Sequence, residues 1–369
     1  MAKILHFFKT YYPQTMGGIE QVIFQLAEGG VAHGNHSEVL YLSRNGSFRS
    51  RPLANHLTHC SRLDVELAST GFSVSAFNDF AELSKQADLI HYHFPWPYMD
   101  VLHFATRVRK PTVVTYHSDI IKQKILLRLY QPLMHRFLSS VDRIVAESPN
   151  YMEGSAALQR HHEKVSVIPI GLDRSTYPVP APERLAYWSS RLGERFFLFV
   201  GALRYYKGLS FLLEALRNTS LPVVIVGRGP MEAELKAQAE RQRLSDVHFL
   251  GSLPDEDKAA LLSLCYCVVF PSHLRSEAFG ISLLEGAMYG KPLISCEIGT
   301  GTTYINIAGE TGLVVPPADP KAIGQAMLSL WENPAMAAEM GHRALMRFEE
   351  LFTAESMVSS YADLYRDLL

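Results

Sequence analysis

Short apolar runs alternate with amphipathic stretches along the first half of the chain. "KILHFF" (3–8) reads as a buried strand, "GGIEQVIFQLAEGGVAHG" (17–34) as a helix ending at Gly34, and "SEVLYLS" (37–43) as the next strand. "ADLIHYH" (87–93), "PTVVTYHS" (111–118) and "VDRIVAES" (141–148) follow, each short, apolar and rich in β-branched residues. That pattern predicts βα alternation around a buried parallel sheet. "IPIGLDRSTYPVPAPERLAYWSSRLGE" (168–194) breaks the rhythm with prolines at 178, 180 and 182, and reads as an interdomain linker. The alternation restarts at "RFFLFVG" (195–201). It continues through "LPVVIVGRGP", "VHFLG", "YCVVFPS", "KPLISC" and "TGLVVP", with helices near 208–217, 231–243, 255–264 and 281–290. The expectation is an α/β chain of two Rossmann-like, doubly wound domains facing across a cleft. Their bounds are 1–172 and 173–350, and 351–369 forms a helix that packs back on the first domain. Open parallel sheets take ligands at the carboxyl ends of their strands, so the strand-end loops are where chemistry is sought.

Composition narrows the classes. With 369 residues and 47% apolar residues the chain can fill two cores, and a net charge of −2 argues against a nucleic-acid binder. Four cysteines do not make a disulfide framework. "MAKILHFF" is no signal peptide, and no run of 18 apolar residues exists to span a membrane. A reducing cytoplasmic setting is therefore expected. "DIIKQKILLRLYQPLMHRFL" (119–138) is basic and amphipathic. It suits either a helix packed into the domain or peripheral contact with the inner face of a membrane.

Candidate chemistry lies at the strand ends. Gly17 and Gly18 open a helix, where free N–H groups and the helix dipole suit a diphosphate. The glycines do not form G-x-G-x-x-G, which disfavours a nicotinamide dinucleotide. The first half holds 12 of the 15 histidines. His91 and His93 close one strand and share a face, but no third ligand is spaced nearby, so no metal is expected. His117 closes another strand and is followed by polar Ser118 and Asp119. Arg204 and Lys207, just past a strand, suit phosphates, and Arg228 lies in a second such turn. The D-x-D of Asp255 and Asp257 begins a helix and reads as dipole capping. "SEAFGISLLEG" (276–286) places Glu277 in a loop and Glu285 one turn into the next helix. A carboxylate buried without a partner is costly, and vicinal hydroxyls are good partners for one. A sugar nucleotide offers two sets of hydroxyls, so each acid has one to hold.

Taken together, "PQTMGGIEQ", "DLIHYHFPW", "TYHSD", "VIPIGLD", "VGALRYYKG", "VGRGP", "VHFLGSLPDEDKAALL", "FPS", "SEAFGISLLEGAMYGKP" and "TGLVVPPADPKAI" resemble glycosyltransferase family 4 over nearly the whole chain. The resemblance implies the two-Rossmann GT-B fold and retaining transfer from a nucleotide sugar, with no cofactor or metal required. It places Gly17, Gly18 and Lys207 at the donor diphosphate, and Glu277 at the donor-sugar hydroxyls. Glu285 falls at the ribose diol, Phe279, Gly280 and Ile281 where backbone amides meet sugar and phosphate, and His117 beside the donor sugar. Ala202 stands where the family has arginine, with Arg204 two residues on. "GTGTTYIN", with Gly301 and Thr302, replaces the usual Gly-Gly-x-x-Glu. "LRYYKG" and "EIGTGTTYIN" look most like bacterial mannosyl- or rhamnosyltransferases of O-antigen and capsule assembly. This implies a GDP-mannose or GDP-rhamnose donor and a glycan or polyprenyl-diphosphate-linked glycan acceptor. The aromatic loop "HFPWPYM" offers His93, Trp96 and Tyr98 either to the acceptor or to packing. A UDP-sugar transferase, a sugar-nucleotide epimerase and a non-catalytic binding protein are the competing readings.

Overall fold

The structure is a computed structural model. It describes residues 1–369 apart from 16, 47–49, 68–69, 121–123 and 218. The chain divides into two compact units, Met1–Gly171 with Ala354–Leu369, and Leu172–Thr353.

The first unit runs β1 (Ala2–Phe7), α1 (Gly18–Gly29), β2 (Asn35–Ser43), β3 (Arg51–Leu53), β4 (His56–Arg62), β5 (Val65–Leu67) and β6 (Thr70–Phe72). It continues with α2 (Val74–Gln86), β7 (Leu89–Phe94), α3 (Pro97–Ala105), β8 (Thr112–Tyr116), α4 (Lys124–Ser140) and β9 (Arg143–Ala146). The short α5 (Pro149–Gly154), α6 (Ala156–Arg160) and β10 (Val165–Val167) follow. The sheet order is β10-β9-β8-β7-β1-β2-β4-β3, parallel except for the edge hairpin β3–β4. Every residue of β7 and β8 is buried, so both strands read as unbroken apolar runs apart from His91, His93 and the threonines. Strand order reverses around β1 and β7, and the loops after these strands lie at the switch point.

The second unit holds α7 (Pro182–Leu192), β11 (Phe197–Val200), α8 (Leu209–Ala215), β12 (Val223–Val226), α9 (Glu232–Arg241) and β13 (Val247–Gly251). Then come α10 (Asp255–Leu264), β14 (Cys267–Phe270), α11 (Ile281–Met288), β15 (Leu293–Cys296), α12 (Thr302–Ile305), β16 (Gly312–Val315), α13 (Pro320–Glu332) and α14 (Pro334–Leu351). Its six parallel strands lie in the order β13-β12-β11-β14-β15-β16, with the switch point between β11 and β14. Phe197, Phe199, Leu212, Leu213, Val223 and Ile225 anchor a continuous core at zero exposure. A last helix, α15 (Ala354–Leu368), belongs to the first unit and packs on α1. Among the described residues no helix is long and apolar enough to cross a membrane.

Two expectations need correction. The proline-rich stretch is not a bare linker. Pro182 sits in the first turn of α7, where its missing N–H costs nothing, and the helix packs on α10. Nor does Asp257 merely cap α10. It is buried, accepts a hydrogen bond from Trp188 Nε1 at 2.7 Å, and pairs with Arg184 Nη1 at 3.0 Å. Asp255 is the first residue of α10, where its charge suits the helix dipole. The signal was in the sequence as a tryptophan beside an arginine at helical spacing, but nothing local assigns them a carboxylate 69 residues away.

Asp257→Ala leaves the buried Trp188 N–H without a partner and is expected to cost about 1–3 kcal/mol, measured by urea unfolding. A loss below half a kcal/mol would show that α7 does not depend on this contact.

Candidate functional site

In the second unit, the loop after β11 carries a single 3₁₀ turn, Tyr205–Lys207, and ends at Gly208 with φ +70°. A Cβ at Gly208 would lie 1.9 Å from the Pro271 carbonyl oxygen. Only glycine lets this loop meet the segment leaving β14. His273 N also donates to Tyr206 O at 3.0 Å, which ties the two loops together.

That approach brings Lys207 and Glu277 together. Lys207 Nζ lies 2.5 Å from Glu277 Oε2, with both side chains nearly buried. The same oxygen accepts from Ser272 Oγ at 3.1 Å. The ammonium also stands 4.7 Å from the centroid of the Phe270 ring, a cation–π contact. Burial first, then the Glu277 charge, pushes the neighbouring Tyr206 phenol up to about 12. The two residues that sequence reasoning sends to different parts of a ligand therefore form one ion pair across the switch point. Gly280, at φ +103°, is the N-cap of α11, with Phe279 buried before it and half-buried Ile281 opening the helix. Helix N-terminal amides at this place suit an anion.

Glu285 is buried on α11 and already has partners. Tyr177 O–H donates to its Oε1 at 2.9 Å, and Lys258 Nζ of α10 lies 3.3 Å from the same atom. Burial works against the Lys258 ammonium, but the Glu285 and Asp255 carboxylates outweigh it and hold its pKa above the ordinary lysine value. Sequence reasoning missed Tyr177 and Lys258 because they lie 108 and 27 positions away in the chain. Arg204 and Arg228 are exposed, on the loops after β11 and β12. Gly301 and Thr302, where the family pattern has another motif, are buried beneath Phe279, and Gly301 N donates to Ala278 O at 2.8 Å.

In the first unit, Gly17 is the N-cap of α1 and Gly18 its first residue. A carboxylate already stands there. Glu20 is buried, accepts from Thr10 Oγ1 at 2.8 Å, and lies 2.5 Å from where a Gly17 Cβ would be. It satisfies the helix dipole itself, a contribution that the double glycine hid. His117 follows β8, with Nδ1 2.5 Å from Glu147 Oε1 and Nε2 3.0 Å from His93 Nδ1. Trp96 is fully buried as the N-cap of α3 and donates Nε1–H to Gly71 O at 3.0 Å. Tyr98 O–H donates to Ser73 O. Both fasten the β6–α2 corner, so packing accounts for them. His93 is fully buried as well.

The expectation that His91 and His93 have no third neighbour is wrong. Parallel pairing sets His6 of β1 opposite His91, and the three rings cluster with ligand-type nitrogens within 4.8 Å of one another. Each ring nitrogen already has a partner, however. His6 uses His93 and Ser37, His91 uses Tyr365 and Thr115, and His93 uses His6 and His117. The cluster fits a hydrogen-bond network better than a metal. Of the basic stretch before and within α4, Lys122 lies outside the described residues. The described part exposes Leu126 and Leu129 beside Arg128.

Gly208→Ala is expected to cost more than Gly309→Ala. Both have positive φ, but a Cβ at Gly309 meets nothing within 4 Å. The latter pays only the left-handed penalty of about 1–2 kcal/mol. Equal losses in paired thermal melts would show that the loop approach at Pro271 yields freely.

The comparisons follow the same division. Residues 186–346 match the model for "Glycosyl transferases group 1" and residues 16–176 that for "Glycosyltransferase Family 4". The chain is 61% identical over 352 residues to the "D-rhamnosyltransferase WbpZ" of Pseudomonas aeruginosa, covering 95% of this chain and 92% of the relative. It is 50% identical over 367 residues to the "O-antigen chain mannosyltransferase C" of Escherichia coli, covering 100% and 99%. Among solved structures, sucrose-phosphate synthase from Thermosynechococcus elongatus superposes with a TM-score of 0.83 at 22% identity, over 100% of this chain and 99% of that one. Anabaena HepE with UDP and glucose superposes with a TM-score of 0.78 at 19% identity, over the whole of both chains. At such identities these two structures carry the fold alone. The full-length relatives, the paired family models and the two Rossmann-like units place this chain in the group 1, family 4 glycosyltransferases of GT-B fold, and make it a nucleotide-sugar-dependent hexosyltransferase.

Proposed function

We propose that the chain transfers mannose or D-rhamnose from a GDP-sugar, with retention of anomeric configuration, to a growing glycan or lipid-linked glycan of a bacterial surface polysaccharide. The observation that carries this reading is the likeness over nearly the full length of both chains to a rhamnosyl- and a mannosyltransferase at 61% and 50% identity. Both are named for six-carbon sugars, and rhamnose is a 6-deoxy form of mannose, which suits a shared donor pocket.

The residues support a division of labour. Lys207 and Arg204 neutralise the departing diphosphate, assisted by the N-terminal amides of α11. Glu277 is the counter-ion of Lys207. A donor diphosphate takes over the ammonium and frees Glu277 for sugar hydroxyls, so the pair is a poised arrangement in which neither charge is left bare. The buried Glu285 is paired with Lys258 and oriented by Tyr177 for the ribose diol. Glu277 is committed to Lys207 or to hydroxyls, so front-side attack is favoured over a covalent intermediate. The acceptor hydroxyl then approaches on the face of the leaving diphosphate and passes its proton to a diphosphate oxygen. Preorganised charge at that oxygen supplies the rate enhancement. Arg228 lies on the same rim of the second unit, on the loop after β12. Exposed Leu126 and Leu129 around Arg128 suit peripheral contact with an anionic inner-membrane surface, where a lipid-linked acceptor would be met.

Thermal unfolding against GDP-mannose, GDP-rhamnose, UDP-glucose and UDP-N-acetylglucosamine, with a chelator present, tests the donor. A ligand at 100 times its Kd adds about 2.7 kcal/mol. Stabilisation by UDP-sugars alone would overturn the GDP assignment. Lys207→Ala is expected to lower kcat by about 10²–10³, and wild-type turnover would remove Lys207 from the mechanism. Glu285→Ala is expected to weaken free GDP binding with the fold retained. Unchanged GDP affinity by calorimetry would contradict the ribose assignment.

A further inference from the structure

Across one face of the first unit's sheet runs a row of polar side chains. Ser37 (β2), His6 (β1), His93 (β7), His117 (after β8) and Glu147 (after β9) follow one another at 3.4, 3.2, 3.0 and 2.5 Å. All five are buried, with His6 and His93 at zero exposure. A polar row in a sheet interior is costly unless each member is satisfied, and each link here has a donor and an acceptor within reach.

The links constrain one another. A neutral imidazole carries one N–H and one lone pair. An ionised Glu147 only accepts, so His117 Nδ1 carries a proton. With His117 neutral, its Nε2 accepts from His93 Nδ1–H, His93 Nε2 accepts from His6 Nδ1–H, and His6 Nε2 accepts from the Ser37 hydroxyl. All three rings are then Nδ1–H tautomers. Adding one proton in the His117–Glu147 link gives the other self-consistent pattern, in which His117 Nε2–H donates to His93 and every bond from there to Ser37 points the opposite way, with Ser37 accepting. A mixture of directions leaves one link with two protons or with none.

The surroundings keep an added proton off the inner rings. Burial, then the charge of His56, pushes His6 down to about 3. Burial and the neighbouring histidines hold His91 and His93 well below the ordinary range. The groups facing the row are Tyr361 and Tyr365 of α15, Thr115 of β8, His91 of β7 and His56 of β4. Burial raises both phenols, so they stay neutral hydrogen-bond partners. In either direction both ring nitrogens of His117 are occupied within the unit.

We propose that Glu147 is a positioning residue for the transfer reaction: it orders the chain Glu147–His117–His93–His6–Ser37 into a single direction, and thereby fixes His117 without leaving its imidazole free to exchange a proton with substrate. The functional half rests on the reading that His117 serves the donor sugar. The structural half does not.

The test uses the full chain labelled with ¹⁵N-histidine. Correlation spectra of the ring nitrogens at pH 7.5 report each tautomer, with His6 and His93 assigned through Ser37→Ala and His93→Gln. The expected result is the same Nδ1–H tautomer at His6 and His93 in the wild type. Opposite tautomers at these two rings, or Nε2–H at His93 beside a neutral His117, overturn the chain. In Glu147→Gln the amide can donate as well as accept, so a mixture of directions is expected at His93. With it kcat should fall by about tenfold or more at little change in donor KM. Unmixed tautomers and wild-type kcat in that variant overturn the positioning role. The spectra need no substrate, so they judge the chain even if the donor assignment fails. The wild-type and Ser37→Ala spectra judge it even if Glu147→Gln does not fold.

Discussion

The second unit's site depends on one close approach. Backbone at Gly208 passes so near the Pro271 carbonyl that no side chain fits between them. From that follow the Tyr206–His273 hydrogen bond and the meeting of Lys207 with Glu277. The strand order of the sheet puts these two loops side by side in the first place, because β11 and β14 are neighbours that run to opposite flanks. A generic property of open parallel sheets thus becomes a charged pair at the switch point.

Much of this was legible in the sequence. Runs such as "VVIV" and "TVVTY" occur as strands because a strand covered on both faces needs no polar alternation, and the helix at 255–264 falls where its acids and apolar spacing put it. β4 was not legible. "HLTHCSR" is as polar as a loop, yet it pairs in parallel with β2 and buries its histidines. Its polar groups are satisfied by Glu28, Glu38 and Tyr11, partners that local pattern cannot reveal. The proline-rich 178–182 misled in the opposite sense, since proline opens α7 and does not keep the chain extended.

The site was legible by residue type and not by partnership. Lys207, Glu277 and Glu285 stood out because charged groups at strand ends are conspicuous. That Lys207 and Glu277 neutralise each other, and that Tyr177 and Lys258 hold Glu285, follows only from pairings across 27 to 108 residues. The same holds for the histidines. As single residues they looked like separate candidates, His117 for the donor sugar and His93 for the acceptor or for packing. The parallel register of β1, β7 and β8 makes them one connected object, where the state of any ring is tied to the next.

The return of α15 to the first unit sets an order on synthesis. The second unit is encoded as one uninterrupted stretch from Leu172 to Thr353, whereas the first is split around it. Tyr361 and Tyr365, which bond Thr115 and His91, leave the ribosome after every residue of the second unit. Until then the buried histidine face carries polar groups without their phenol partners and apolar surface without its cover. The unit that emerges first is therefore the one completed last.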